Sequence, residues 1–161
     1  MSNIHFTHEK IKGDIAEEIF WQMFRELGKF TILRFGYEYS LPELAQYQYL
    51  PAVKAVQDNI RNAPDFLLIS QDRKEVYLVE VKYHRHLGSG FTLSDARKTY
   101  EHWDSAWLFI ATLDGFYFGR CQEIIQNHGA IRPLDDKWVL PECREQYLDL
   151  LIDYEEQHAH R

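Results

Sequence analysis

Two short apolar runs, separated by polar residues, lie near the middle of the chain. Residues 66–69 and 76–81 are rich in the β-branched and aromatic side chains that are typical of strands. The polar residues 71–74 between them predict the turn of a β-hairpin. If these four residues form the turn, Asp65 lies opposite Glu80, with their Cβ atoms about 5 Å apart on one face of the sheet.

The N-terminal segment has the periodicity of an amphipathic helix. Its apolar side chains recur at spacings of three and four and define one buried stripe, made of Ile11, Ile15, Ile19, Phe20, Met23, Phe24 and Leu27. Gly28 is expected to end this helix. Glu17 lies at the edge of the stripe, so its carboxylate is expected either to face solvent or to be directed towards the sheet on which the helix packs.

The remaining segments complete a predicted α/β order of elements. Residues 29–35 are expected to form the first strand, and residues 107–112 are a continuous apolar run typical of a buried strand. Between the hairpin and this buried strand, Ser94 is expected to cap a helix that continues to about Trp103. The resulting order is helix, strand, hairpin, helix, strand, or αβββαβ, within a core of residues 9–120.

Two segments lie outside this order. Residues 37–62 form an insertion after the first strand, with a helix expected over residues 52–61; its tyrosines are expected either to pack as a helical cap or to stack on bases. Residues 121–161 form an extension that contains an acidic amphipathic helix over residues 142–157. That helix is expected to pack on its own domain, with a homodimer or a protein partner as alternatives. We expect residues 1–161 to be a single domain.

Charge and cysteine content limit the function classes. The net charge is −7, and residues 121–161 hold nine Asp and Glu against four Lys and Arg, a net of −5, which leaves −2 for the rest. An acidic balance is unfavourable for tight nucleic-acid binding without a metal. Cys121 and Cys143 lack a metal-binding spacing and are expected to be reduced. With no signal peptide or membrane span in the sequence, we expect a cytoplasmic protein with no membrane partner.

The hairpin is expected to gather two carboxylates and an ammonium on one face. Lys82 shares a strand face with Glu80 because side chains alternate with a period of two. Such a cluster is costly unless a cation lies between the carboxylates, and hard divalent cations prefer oxygen ligands. The sequence therefore predicts a Mg²⁺ or Mn²⁺ site formed by Asp65, Glu80 and the backbone carbonyl of Val81. Lys82 is expected to orient a metal-bound water and to stabilise negative charge on a phosphate.

Pro64-Asp65, followed by Glu80-Val81-Lys82 at the end of an apolar strand, resembles the active-site motif of the PD-(D/E)xK nuclease superfamily. The chain contains three acidic-x-Lys triplets, and the other two occupy residues 72–74 and 135–137. The first of these lies in the expected turn and the second in a polar segment flanked by prolines. Only Glu80-Val81-Lys82 ends a strand and faces an aspartate, which makes it the candidate motif.

Lys12-Gly13 and Ala16-Glu17 are similar to the K-G-x-x-A-E opening of the first helix in archaeal Holliday-junction resolvases, a branch of the same superfamily. The resemblance implies that Glu17 contributes to the metal site, through water or a second ion, and to catalysis. It also implies a restriction-endonuclease-like fold and a metal-dependent endonuclease that acts on nucleic acid, with DNA as the first expectation, and leaves 5′-phosphate ends. The alternative is a non-catalytic nucleic-acid-binding or assembly module on a nuclease fold.

The most basic part of the chain follows Lys82. His84, Arg85 and His86 lie in a segment that ends in glycine and serine, and Arg97 and Lys98 follow in the next predicted helix. These side chains are expected either to contact nucleic-acid phosphates or to belong to a solvated polar loop. The spacing of the two histidines does not predict a zinc site, because no second pair of ligands accompanies them.

Overall fold

The computed structural model describes residues 3–26, 28–35, 56, 58–59 and 61–158, with the backbone alone for residues 3–9. Most of the 37–62 insertion, and with it most of the helix expected over residues 52–61, lies outside the described residues. The described parts form a mixed five-stranded sheet, with strands in sequence order from β1 to β5, and four helices. The elements are α1 (Asn3–Glu26), β1 (Phe30–Arg34), β2 (Phe66–Ser70), β3 (Val76–Tyr83), α2 (Ser89–His102), β4 (Trp107–Thr112), β5 (Gly115–Arg120), α3 (Cys121–Gln126) and α4 (Pro141–His158).

The sheet topology confirms the predicted α/β class. Strands β3 and β4 are parallel, whereas the other neighbouring strands are antiparallel. Parallel neighbours need a crossover connection, and α2 provides it on the sheet face opposite α1. The order α1, β1, β2, β3, α2, β4 is the order that the sequence predicts.

The predicted hairpin is confirmed with its register. Phe66 pairs with Val79 and Ile69 pairs with Val76. At the turn, the Ser70 N–H donates to the Glu75 carbonyl at 3.0 Å. Extending this register by one residue places Asp65 opposite Glu80, which is the arrangement expected from the sequence.

The core between α1 and the sheet is aromatic. Phe20 lies with its ring centroid 4.9 Å from that of Phe66 and 5.0 Å from that of Phe109. Burial of large side chains of this kind contributes about 1.5–3 kcal/mol each. The predicted stripe is confirmed for its central members, whereas Ile11 at its start is 38% exposed. The helix ends before Gly28, whose φ of 62° is a left-handed conformation that glycine adopts without strain.

Alternation along β3 divides its side chains between two layers. Val79 and Val81 belong to the core that contains α1, whereas Leu78 packs with Leu108 in the core that contains α2 and α3. Because successive side chains point to opposite faces, Glu80 and Lys82 project on the α2 side. The candidate site therefore lies at the end of β3, where these two side chains are on the α2 side and α1 borders the same end of the strand.

The predicted start of α2 is wrong. Ser94 does not cap the helix; the N-cap is Gly88, and the helix begins at Ser89. The Gly88 carbonyl accepts hydrogen bonds from the Thr92 N–H at 3.0 Å and from the Thr92 hydroxyl at 2.9 Å. Thr92 is fully buried, so these bonds fix the first turn in spite of the flanking glycines. As a result, Asp95 lies in the second turn of α2 rather than the first.

The C-terminal helix α4 packs on its own domain, against α1. Leu151 is buried in the core, and the Tyr147 hydroxyl donates to Glu26 at 2.7 Å. Lys12 of α1 forms an ion pair with Glu155 at 3.1 Å, and Glu155 is only 5% exposed. In the part of the chain that the structure describes, no helix combines the length and the apolarity needed to cross a membrane. The dimer or protein partner of α4 remains a prediction.

Gly129→Ala is expected to destabilise the fold more than Gly28→Ala. Both glycines have positive φ, which costs a side chain about 1–2 kcal/mol. A Cβ at Gly129 would also lie 2.2 Å from the Ser89 carbonyl oxygen at the start of α2, whereas a Cβ at Gly28 has no atom within 4 Å. Urea unfolding of both variants should show an additional loss of about 1–3 kcal/mol for Gly129→Ala. Equal losses would show that the segment after α3 relaxes away from Ser89.

Candidate functional site

Asp65 and Glu80 form a pair of carboxyl groups at the end of the hairpin away from its turn. Asp65 precedes β2, and its Oδ2 accepts a hydrogen bond from the Val81 N–H at 2.9 Å. The carboxyl groups of Asp65 and Glu80 are also hydrogen-bonded to each other. The Val81 N–H, next to Glu80 on β3, thus holds the Asp65 side chain beside Glu80.

Burial and mutual repulsion control the charge of this pair. Removal of Glu80 from water raises its pKa to about 8, with a further increase from the charge of Asp65 and an opposing effect of Lys82. The Glu80 side chain is only 15% exposed, so water does little to screen the two carboxyl groups. The pair therefore binds either a proton or another positive charge at neutral pH.

Lys82 provides a permanent positive charge beside the acids. Its Nζ lies 3.3 Å from Glu80 Oε1, and 42% of its side chain is exposed. Burial acts to lower the pKa of Lys82, but the carboxylates of Glu80, Asp95 and Asp65 outweigh it, and the net effect is a raised pKa. Lys82 is therefore an ammonium at neutral pH, which suits it to stabilise negative charge rather than to accept a proton.

The acid pair and Lys82 line an open cleft of about 350 Å³ between α1 and the sheet. Glu17 lines the same cleft, so the helix edge on which it lies faces the site rather than bulk solvent alone. The other lining residues are Lys10, Gly13, Asp14, Val81 and Tyr83. The structure thus brings together all four predicted catalytic residues, although Glu17 precedes Asp65 by 48 positions in the chain.

The donor chemistry of the cleft fits Mg²⁺ or Mn²⁺. These ions are held by oxygen ligands, and Mg²⁺ commonly uses one or two carboxylates together with waters and substrate phosphates. Within residues 3–26, 28–35, 56, 58–59 and 61–158, no group of three or more His, Cys, Asp or Glu side chains is arranged as a metal site. Asp65 and Glu80 could supply two carboxylate ligands to such an ion, and Glu17 lines the same cleft.

The two histidines among the predicted basic residues each contact an acidic side chain. His84 Nε2 lies 2.6 Å from Asp95 Oδ2, and His86 Nδ1 lies 2.9 Å from the carboxylate of Asp114. The two histidines are thus directed to different partners. The other three predicted phosphate contacts are exposed, but two of them are consecutive residues of α2 and point about 100° apart around the helix; these three are Arg85, Arg97 and Lys98.

Asp95 is a site residue that sequence reasoning missed. Its carboxylate pairs with His84 and contributes to the raised pKa of Lys82. The position of the helix start decides this role, since a helix capped at Ser94 would put Asp95 in a solvated first turn. Nothing in the sequence distinguished Asp95 from an ordinary solvent-exposed acidic residue of a helix.

Comparison with models of known protein families gave no match, and no curated protein is significantly similar to the chain. What the structure establishes by itself is an α/β protein with a mixed five-stranded sheet. At one end of its central hairpin it carries a half-buried pair of carboxyl groups beside a lysine.

Proposed function

We propose that the protein is a divalent-metal-dependent endonuclease of the PD-(D/E)xK type, which hydrolyses phosphodiester bonds in DNA. The observation that carries the proposal is the hydrogen-bonded pair of Asp65 and Glu80, with the Lys82 ammonium 3.3 Å from Glu80 in an open cleft. A pair of acids that is largely removed from water is costly for a fold. A function that requires two carboxylates and a cation explains why this cost is tolerated.

The fold is consistent with a restriction-endonuclease-like core. The described elements begin in the αβββαβ order, with α1 and α2 on opposite faces of the sheet. In this arrangement the motif strand β3 lies at the centre of the sheet, between β2 and β4. The central position supports the proposal because it holds Glu80 and Lys82 on a rigid element.

The residues of the cleft have separate roles in the proposed mechanism. Asp65 and Glu80, with the Val81 carbonyl, would hold Mg²⁺ or Mn²⁺. The bound ion supplies a water of lowered pKa and withdraws charge from the scissile phosphate. Lys82 orients the attacking water and stabilises the negative charge that develops on the oxygens of the pentavalent phosphorane. Glu17 positions water at the opposite wall of the cleft.

A cleavage assay tests the proposed activity. Wild-type protein is incubated with supercoiled plasmid, linear duplex, a four-way junction and RNA, in Mg²⁺, Mn²⁺ or EDTA. We expect cleavage of DNA that requires the metal and leaves 5′-phosphate and 3′-hydroxyl ends, so that ligase joins the products directly and kinase labels them only after phosphatase treatment. Absence of cleavage on every substrate, or cleavage that persists in EDTA, would contradict the proposal.

The second candidate function is a non-catalytic nucleic-acid-binding or assembly module. The net charge of −7, most of it in residues 121–161, favours the assembly form of this module, because an acidic surface opposes tight binding of phosphates. Metal titration by calorimetry separates the two functions. The nuclease requires Mn²⁺ binding that Glu80→Gln weakens, whereas the module predicts no such binding or binding that the substitution leaves unchanged.

A further inference from the structure

Phe91 is the most exposed of the large hydrophobic side chains in the described part of the chain, at 66%. It lies in the first turn of α2, and its ring is stacked on the His84 imidazole, with centroids 5.4 Å apart and planes 23° apart. Single exposed apolar residues are common on protein surfaces. Phe91 differs from them because one ring face is packed while most of the side chain remains accessible.

The inner face of the Phe91 ring packs on a side chain that is itself fixed by other contacts. The His84 imidazole on which it stacks is paired with Asp95 at 2.6 Å, and the backbone N–H of His84 donates to the Ala111 carbonyl at 3.1 Å. A Cβ at Gly88 would lie 3.2 Å from the Phe91 ring, so the backbone also approaches the ring closely. Phe91 therefore offers its outer face without a large loss of side-chain freedom when a flat group binds there.

This aromatic face lies beside the proposed catalytic cleft. His84 follows Lys82 by two residues, so their Cα atoms are about 7 Å apart along the strand. Asp95 connects the two places, because it pairs with His84 and acts electrostatically on Lys82. A nucleotide whose base contacts Phe91 would thus have its phosphate near the cleft.

Cationic side chains flank the same surface. Lys98 follows Phe91 by seven residues, which is two helical turns, so both lie on one side of α2 about 10 Å apart. Arg85 is exposed in the connection between β3 and α2. An aromatic face with cations along it is the arrangement that proteins use to bind single-stranded nucleic acid, since the ring stacks on a base and the cations follow the backbone.

We propose that Phe91 stacks on an unpaired nucleobase beside the Asp65–Glu80 cleft, so that the substrate is single-stranded or locally unpaired nucleic acid. The inference deepens the proposed nuclease function and rests on it for the position of the cleft. Within a continuous duplex, neighbouring base pairs cover both faces of each base. A stacking residue at this place therefore selects ends, gaps, loops and branch points over intact duplex.

Binding measured in EDTA tests the stacking without any cleavage. Fluorescence anisotropy compares wild type with Phe91→Ala, Phe91→Leu and Phe91→Trp on a 20-nucleotide DNA single strand, its RNA counterpart and the matching duplex. We expect Phe91→Ala and Phe91→Leu to weaken single-strand binding by between about fivefold and about 150-fold, since neither residue has an aromatic face. Phe91→Trp should bind within about threefold of wild type, and the duplex should respond little to any variant.

Val76→Ala is the matched control. Val76 is 58% exposed and lies in the same hairpin strand, but at the end near the turn, about 20 Å from Lys82 along β3. This variant should bind single strands as wild type does. The thermal unfolding midpoint of each variant shows whether the fold is retained, and 2-aminopurine in the oligonucleotide reports stacking through quenching that Phe91→Ala should remove.

The outcomes separate the two proposals. If wild type cleaves DNA but all variants bind single strands equally, the stacking inference is wrong and the nuclease stands. If wild type cleaves nothing, and Phe91→Ala and Phe91→Leu lose single-strand binding whereas Phe91→Trp keeps it, the base-stacking surface stands and the nuclease is wrong. A loss with RNA only also supports stacking and identifies the nucleic acid, whereas a weakening with Phe91→Trp equal to that with Phe91→Ala overturns it.

Discussion

Lys82→Ala is expected to lower the rate of metal-dependent cleavage by about 10²- to 10³-fold at saturating substrate. The ammonium lies 3.3 Å from Glu80, and the surrounding carboxylates keep it charged. Its loss removes charge stabilisation that is greatest in the transition state, so kcat should fall while KM changes little. Lys82→Arg should retain part of the rate, because the charge remains but its geometry differs.

Two other acidic-x-Lys triplets provide matched controls for this prediction. Lys74 lies in the exposed hairpin turn, and Lys137 lies 4.9 Å from the centroid of the Trp138 ring, away from the cleft. Lys74→Ala and Lys137→Ala should cleave at the wild-type rate in single-turnover assays with Mg²⁺. The assignment of Lys82 would be wrong if its alanine variant cleaved as fast as these controls, or if either control lost as much activity.

Without a divalent metal, the wild-type protein is expected to lose stability as the pH rises from about 5 to above 8. The pKa of Glu80 is raised from 4.5 to about 8 by burial and by Asp65, so the folded state binds this proton more tightly than the unfolded state. The resulting stabilisation is fully present below the unfolded pKa and is lost as the pH passes through the folded value. Its size is on the order of a few kcal/mol for the coupled pair.

Glu80→Gln isolates this effect, because glutamine has the shape of the protonated acid and does not titrate. Urea unfolding across pH 5–8.5 should give a free-energy difference between variant and wild type that shifts in favour of the variant as the pH rises. Asp72→Asn on the same hairpin is the control: hydrogen bonds from Ser70 and Lys74 lower the pKa of Asp72. A lowered pKa contributes stability that is lost only towards acid pH. The free-energy difference between Asp72→Asn and wild type should therefore stay constant across pH 5–8.5. If the free-energy difference between Glu80→Gln and wild type were also constant with pH, the raised pKa of Glu80 would be wrong.

The same experiment tests the metal. At pH 8, Mg²⁺ or Mn²⁺ should raise the unfolding midpoint of the wild type, because a ligand of the folded state alone stabilises it. The increase should be smaller at pH 5.5, where a proton competes for Glu80, and should be largely absent in Glu80→Gln at either pH. A midpoint that does not respond to either metal at pH 8 would show that the carboxyl pair does not bind these ions.

The predictions that the structure confirms depend on residues that are close in sequence. The hairpin register follows from the alternation of apolar residues and a four-residue turn, and it places Asp65 next to Glu80. The α1 stripe follows from spacings of three and four and places Glu17 at its edge, whereas the packing of α1 on the sheet turns that edge towards the cleft. Both features are formed within one helix or one hairpin, so the periodicity of neighbouring residues is sufficient to specify them.

The start of α2 shows where local patterns fail. Ser94 followed by Asp95 is a good capping sequence, yet the helix begins six residues earlier, where the buried Thr92 bonds to the Gly88 carbonyl. Glycines at residues 88 and 90 favour a loop on propensity alone. Tertiary packing outweighs the helix propensity of each glycine, which is about 1 kcal/mol less favourable than that of alanine.

The sequence by itself determined the α/β class, the hairpin that joins Asp65 to Glu80 and the side of the strand that Lys82 shares with Glu80. Only the tertiary structure decided that Asp95 lies against His84 and near Lys82, and that Phe91 stacks beside them. The packing of α1 on α4 through Lys12 and Glu155, from opposite ends of the chain, is likewise tertiary. The physical reason is that each of these contacts joins different elements, so it depends on how the helices pack across the sheet rather than on the pattern within any one segment.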